Sequence, residues 1–461
     1  EQTTHSQTIE IGKSRTHLWD ALLAQSGVVA YLPIILVTIV ILGGSSVQIF
    51  WLNTDVARYQ CYALTFWLGG HAANLLPPAQ CAFLPASALA QPPLHLLPIE
   101  YPPLTLGLFS LGFFAPLPYY QAIFALLMAL TSALIYWLLL RYGPRGAAFI
   151  FALYLLIGAG ATAVERFDLV PAALTLLCII AAERKHWTSA YIALAIAVLL
   201  KLYPLLLLPV LFIAEQRDAQ RLSVPLNPLP LRAIPTELWH TLRGERNWRW
   251  RNTLIFAGIV LGITGFFALL NYQGALLSQL SYFTNRPIQV EATASTLLWL
   301  GAQFGFPAHI VFTYGSINLE SALGSSVSLL LEILFVLGYV YVIWKQWNGK
   351  LDVLQASIAI LLVFISTGKV FSPQYLIWVI PLIAYSSALN RAWILLWGAI
   401  SLLTTIIYPY LYTRTLDTFA IPLTPGFIQA VSLRDALFAL VTIAYLFNWF
   451  QIRRKALPSR Q

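Results

Sequence analysis

Long apolar runs, broken by short charged or proline-rich links, recur along this chain from end to end, and that pattern leaves few folds open. The runs approach the ~20 residues a helix needs to cross a bilayer. Only 10% of the 461 residues are charged and 59% are hydrophobic, whereas a soluble domain carries about 25% charged residues. Most of the surface must therefore face lipid. The runs do not alternate apolar and polar positions, as the strands of a membrane barrel would. The expected fold class is an all-α polytopic membrane protein, an integral membrane bundle of about 11–13 membrane segments.

The net charge of +9 reads as orientation by the positive-inside rule, not as a nucleic-acid surface, because no exposed basic domain exists to hold one. The chain opens at Glu1 without Met, so a trimmed start is expected. The polar first stretch lacks the basic end and apolar core of a signal peptide. Three thiols without matching histidines predict no metal site. Cys178 lies in an apolar run and reads as packing. Cys61 and Cys81 share the first outer loop, where an oxidising exterior would allow a disulfide; two unrelated small residues is the alternative.

Five regions follow from the pattern. Residues 1–27 form a cytoplasmic or interfacial segment. Residues 28–214 form an N-terminal transmembrane module containing a long first outer loop, 51–103. Residues 215–252 form a cytoplasmic loop with seven Arg against four acids. Residues 253–450 form a C-terminal transmembrane module, and 451–461 a cytoplasmic tail. Tyr62–Leu68 is expected as a short helix on the membrane surface. Pro102 and Pro103 suit the start of the next segment. If Leu104–Leu117 crossed fully, Arg141 and Arg145 would fall outside, against the rule; a re-entrant segment keeps them inside. The two halves flanking Lys201 are each short, which predicts tilted, broken or re-entrant helices. Gly315, Ser316 and Asn318 predict an external hairpin.

With this orientation the unusual polar groups gather at the outer face: Asp55, Arg58, Glu100, Glu165, Arg166, Asp168, Lys201, Arg286, Glu291 and Lys369. A shared outward cavity explains them economically, since charge near the bilayer is costly and tends to mark function. Asp55, just after the first span, is the leading candidate for a general base. Lysines or arginines near the interface could hold a lipid phosphate as it leaves. No cofactor is expected.

Several passages resemble glycosyltransferase family 87, the polyprenol-phosphate-mannose type of the GT-C superfamily. Asp55-Val56-Ala57-Arg58-Tyr59 with Tyr62-Ala63 resembles the family's run after the first span. Glu100-Tyr101-Pro102-Pro103-Leu104 resembles the start of its next segment. Arg166-Phe167-Asp168-Leu169-Val170-Pro171 and Lys201-Leu202-Tyr203-Pro204-Leu205 are similar to its mid-chain signatures. Arg286-Pro287-Ile288-Gln289-Val290-Glu291 and Ser372-Pro373-Gln374-Tyr375-Leu376-Ile377-Trp378 are similar to two later ones. Pro287 replaces the usual Gly, and Ala292 stands where Ser is common.

The resemblance implies a GT-C-like bundle that moves a sugar, with mannose the expected one, from a polyprenyl-phosphate donor to a lipid or glycan acceptor hydroxyl with inversion. Asp55 would be the base. Arg58, Glu100, Tyr101, Asp168, Lys201, Arg286, Glu291 and Lys369 would bind donor phosphate or substrate. The expected setting is a bacterial plasma membrane with the active site facing outward. Each residue also has a plainer reading: Asp55 as a helix cap or partner of Arg58, Asp168 as partner of Arg166, Arg286 as partner of Glu291, Lys201 as a snorkelling lysine. A transporter or flippase of a lipid-linked substrate is the alternative function.

Overall fold

The computed structural model describes residues 27–449 except 53, 221, 223–229, 231–235, 237–247 and 388–390. The expected N-terminal segment, most of the basic loop at 215–252 and the C-terminal tail lie outside the described residues.

Helix dominates. Among the described residues, five helical stretches are long and apolar enough to cross a membrane: Leu117–Tyr142, Arg251–Tyr282, Gly324–Trp347, Arg391–Arg414 and Phe427–Leu446. Seven shorter apolar helices of 10–17 residues pack among them. The most apolar windows of Arg251–Tyr282 and Gly324–Trp347 are only 11% buried. Leu261, Leu269 and Leu337 stand exposed on them, as lipid-facing side chains do. By contrast the helix Val353–Thr367 is buried on nearly every side, and its all-round apolar sequence is what a central helix needs.

Small residues let helices approach closely, a device common in membrane bundles. A Cβ on Gly158 would stand 2.7 Å from Ser401 Oγ, and one on Gly338 2.7 Å from Val363 Cγ1. Bulkier residues at either position would push two helices apart.

The first outer loop folds back on the bundle instead of lying on a surface. Tyr62 belongs to the helix Asp55–Leu68 and is buried with Tyr59, Ala63 and Phe66. Cys61 and Cys81 form a disulfide with 5.8 Å between their Cα atoms, tying this helix to the short turn Pro78–Cys81. After Pro102 and Pro103 comes a short helix, Thr105–Ser110, which runs on as a tighter 3-10 turn to Phe114. Together they rise ~17 Å at 1.5–2.0 Å per residue, short of a crossing. The next helix, Tyr120–Tyr142, begins where this one ends: Tyr120 donates to Phe109 O at 2.7 Å. Gln121 also donates to Trp51 O at 3.0 Å. The segment thus starts and finishes at one end of the bundle, and Arg141 comes out at the other.

The break at Lys201 is a reversal of direction. The helix Trp187–Leu200 ends there and Leu208–Asp218 returns beside it, so Trp187 Nε1 reaches Asp218 Oδ2 at 2.9 Å.

The anticipated hairpin forms. Three short strands, β1 (Ile288–Gln289), β2 (Ala308–Thr313) and β3 (Ser316–Ser321), pair antiparallel in the order β1-β3-β2. Tyr314 and Gly315 turn the β2–β3 hairpin with φ of 53° and 67°, the left-handed values a two-residue hairpin turn demands. A Cβ on Gly315 would come within 2.9 Å of the Arg58 guanidinium, so the turn sits directly over the first outer loop.

Candidate functional site

A cavity of about 730 Å³ opens at the end of the bundle where these loops meet. Asp55, Arg58, Glu100, Tyr101, Lys201, Arg286, Glu291 and Lys369 line it. Residues separated by more than 300 positions in sequence thus reach one wall. Basic residues of the described links lie toward the opposite end. There Lys185 pairs with Asp218 at 2.6 Å, and Arg217 donates to the carbonyls of Gln346 and Trp347 at 2.7 and 2.9 Å.

Asp55 is the first residue of its helix, and it is not the cap. Thr54 takes that place: its side chain accepts from Ala57 N at 3.2 Å. The Asp55 carboxylate is left to face the cavity, between Arg58 at 3.6 Å and Arg166, with which it forms a close ion pair. Arg58 in turn pairs closely with Glu100. Burial pushes the Glu100 carboxyl up, and the Arg58 guanidinium opposes that.

Asp168 does not pair with Arg166 and does not line the cavity. It is 1% exposed and stands behind Lys201, accepting from its Nζ at 2.5 Å and from Trp378 Nε1 at 2.5 Å. Its role here is to hold Lys201, which also sits over the rings of Phe167 and Trp378 at 5.1 Å each. Lys201 therefore does not snorkel; its ammonium is fixed at the cavity floor.

Arg286 does not pair with Glu291. It donates to Ser316 Oγ at 2.9 Å and lies 5.3 Å over Tyr282. Among the described residues it forms no ion pair with a carboxylate, although Glu100 lies near enough to feel its charge. Lys369 pairs with Glu332 at 3.1 Å, an acid within the apolar helix Gly324–Trp347. Tyr101 packs edge-on against Tyr59 and Phe167, while Tyr375 stacks on Trp378 at 3.9 Å.

Glu291 differs most from expectation. Although it borders the cavity, one oxygen of its carboxylate accepts from Tyr412 at 2.6 Å, and the other stands 3.5 Å from Arg434 as an ion pair without a hydrogen bond. Arg434 also pairs with Asp435 at 2.9 Å and donates to the Glu291 carbonyl. Arg434 is 0% exposed. Burial pushes the Glu291 carboxyl up against the pull of Arg434. The sequence reading missed Arg434 and Asp435. The signal was an adjacent charge pair in an apolar helix, which a lipid-facing segment would not keep.

Arg166, Tyr408 and Tyr412 also line the cavity, and only the first drew notice in sequence. Glu165, in the turn before Asp168, is buried, and its carboxyl is pushed up to about 7 by desolvation. Among the described residues no group of three or more His, Cys, Asp or Glu side chains could hold a metal ion. Arg58, Lys201, Arg286 and Lys369 are positive groups that the described wall offers for a phosphate.

No protein-family description, curated protein or solved structure matches this chain.

Proposed function

We propose that this protein is a membrane-embedded, inverting glycosyltransferase of the GT-C type, similar to family 87, using a polyprenyl-phosphate sugar. One observation carries the reading. A carboxylate, Asp55, and the cations Arg58, Lys201, Arg286 and Lys369 face a single cavity of about 730 Å³ in an apolar helical bundle.

The chemistry follows from those groups. Asp55 accepts the proton of an acceptor hydroxyl, whose oxygen then attacks the anomeric carbon. The bond from that carbon to the phosphate oxygen breaks, and the lipid phosphate leaves with the electron pair. Arg286 and Lys369 stabilise the charge that develops on the phosphate, as preorganised cations do in a partly desolvated site. Lys201 keeps ammonium hydrogens beyond the one given to Asp168. Phe335 and Phe364 on the cavity wall suit the lipid chain. A single displacement inverts the anomeric centre. Mannose as the sugar rests on the family resemblance alone.

The cavity would open outward, on two grounds. Basic residues of the described links, Lys185 and Arg217 among them, lie at the other end, as the positive-inside rule requires. The Cys61–Cys81 disulfide lies in the loop beside the cavity, and disulfides persist on oxidising sides of membranes. A bundle of 11–13 crossings in a bacterial plasma membrane is the proposed setting.

The test is transfer in liposomes from radiolabelled polyprenyl-phosphate mannose to a crude acceptor-lipid extract. Loss of the base should lower the rate about 10²–10⁴-fold in Asp55→Asn, with melting temperature kept. Equal product from both proteins would remove Asp55 from the role. No product from wild type with any of a panel of sugar donors would refute the enzyme, and lipid movement without product would favour a transporter.

A further inference from the structure

Two glutamine amides on the cavity wall are left incomplete by the protein, and both are buried. Gln289 is 5% exposed and Gln279 7%; both line the cavity. The Gln289 side chain makes no hydrogen bond to any described residue, and its Oε1 is buried without a partner. Gln279 gives its amide nitrogen to Tyr101 O and, at 3.4 Å, to Pro98 O. Those two carbonyls fix which end is nitrogen, so the oxygen is the free end, and it too is buried and unpartnered. Buried polar atoms are nearly always hydrogen-bonded, and an acceptor left without a donor is costly.

Gln289 is also held unusually well. Its backbone N–H donates to Lys369 O at 2.9 Å, and β1 pairs with β3 at Asn318. Two residues on, Glu291 is locked by Arg434 and Tyr412. The backbone that carries the Gln289 side chain is therefore fixed at the cavity wall.

We propose that Gln289, with the Gln279 oxygen, forms a neutral subsite that reads hydroxyl groups of the sugar. A free amide oxygen asks for a donor. Phosphate oxygens are acceptors and are repelled by the Gln279 oxygen; the Gln289 amide keeps a donor as well as an acceptor, but the cations of the same cavity already suit a phosphate. A hexose supplies donors and acceptors side by side, which is what one amide can meet together. This inference rests on the glycosyltransferase reading for its ligand class, but its test does not need turnover.

The probes are citronellyl phosphate and citronellyl-phosphate mannose, with binding measured by calorimetry on the full-length protein in detergent. Wild type should bind the sugar-bearing probe more tightly. Gln289→Ala should lose about 5–10-fold of that advantage, the worth of one neutral hydrogen bond, and leave citronellyl phosphate unchanged. Gln279→Leu should act in the same sense, and a melting curve checks folding of each variant. A deoxy-mannose probe lacking the hydroxyl read by Gln289 should bind wild type and Gln289→Ala alike. The subsite is overturned if Gln289→Ala binds both mannose and plain phosphate probes as wild type does, or weakens both equally. Should wild type show sugar-dependent, Gln289-dependent binding yet transfer no sugar, the enzyme reading fails while the subsite stands.

Discussion

Arg434 is the residue whose removal the structure makes most informative. Replacing it with Met keeps much of the volume but takes away the charge. Two carboxylates, Glu291 at 2% and Asp435 at 1% exposure, then lose the cation at 3.5 and 2.9 Å. Breaking one side of a buried ion pair costs about 3–5 kcal/mol. At roughly 2 °C per kcal/mol for a large chain, the melting temperature in detergent should fall by about 6–10 °C. The loss has a charge signature that simple packing damage lacks. Glu291 already binds its proton more readily than a free carboxyl, so acid should neutralise it and return part of the stability as pH falls. Neutralising both partners should do the same at pH 7: Arg434→Met with Glu291→Gln and Asp435→Asn should regain at least half of the loss. Differential scanning fluorimetry at pH 5 and 8 makes all three comparisons. A single variant melting within about 2 °C of wild type, or a neutral triple variant no better than the single one, would refute the argument.

Glu165 should give stability a pH slope. Its carboxyl is raised from 4.5 to about 7 by burial, with Arg166 opposing, so between those values the folded protein holds a proton the unfolded chain has lost. Its contribution is most favourable below pH 4.5 and falls as pH rises to about 7; Glu165→Gln should flatten that fall and stabilise at pH 8 by up to about 3 kcal/mol, and identical wild-type and variant curves from pH 4.5 to 8 would be the contrary result. Gly158 should tolerate no side chain while Ser401 faces it: Gly158→Ala should cost about 1–3 kcal/mol through overpacking, and adding Ser401→Gly should recover most of it, with strict additivity in thermal melts as the refuting result.

Some of the site was readable without coordinates. Asp55, Arg58, Lys201, Arg286 and Lys369 stand out because charge is rare in this chain and each sits at the edge of an apolar run. Their shared cavity follows from helix direction, since spans that alternate bring every second link to one end. Of the partners, only Arg58 beside Asp55 was readable. Arg166 and Asp168 are near neighbours in sequence, yet Arg166 reaches Asp55 and Asp168 holds Lys201. Glu291 was set beside Arg286, yet it answers Arg434, which lies 143 positions on.

The division has a physical cause. Apolar content and the scarcity of charge are enforced residue by residue by the solvent, so the sequence alone determined a helical, lipid-facing protein and the end of each helix where polar groups collect. Which carboxylate meets which cation depends on the packing of helices distant in sequence, through distances of a few ångströms that no local pattern encodes. Tertiary structure therefore decided that Asp168 serves Lys201, that Glu291 is held by Arg434, and that the amides of Gln279 and Gln289 are left waiting on a cavity wall.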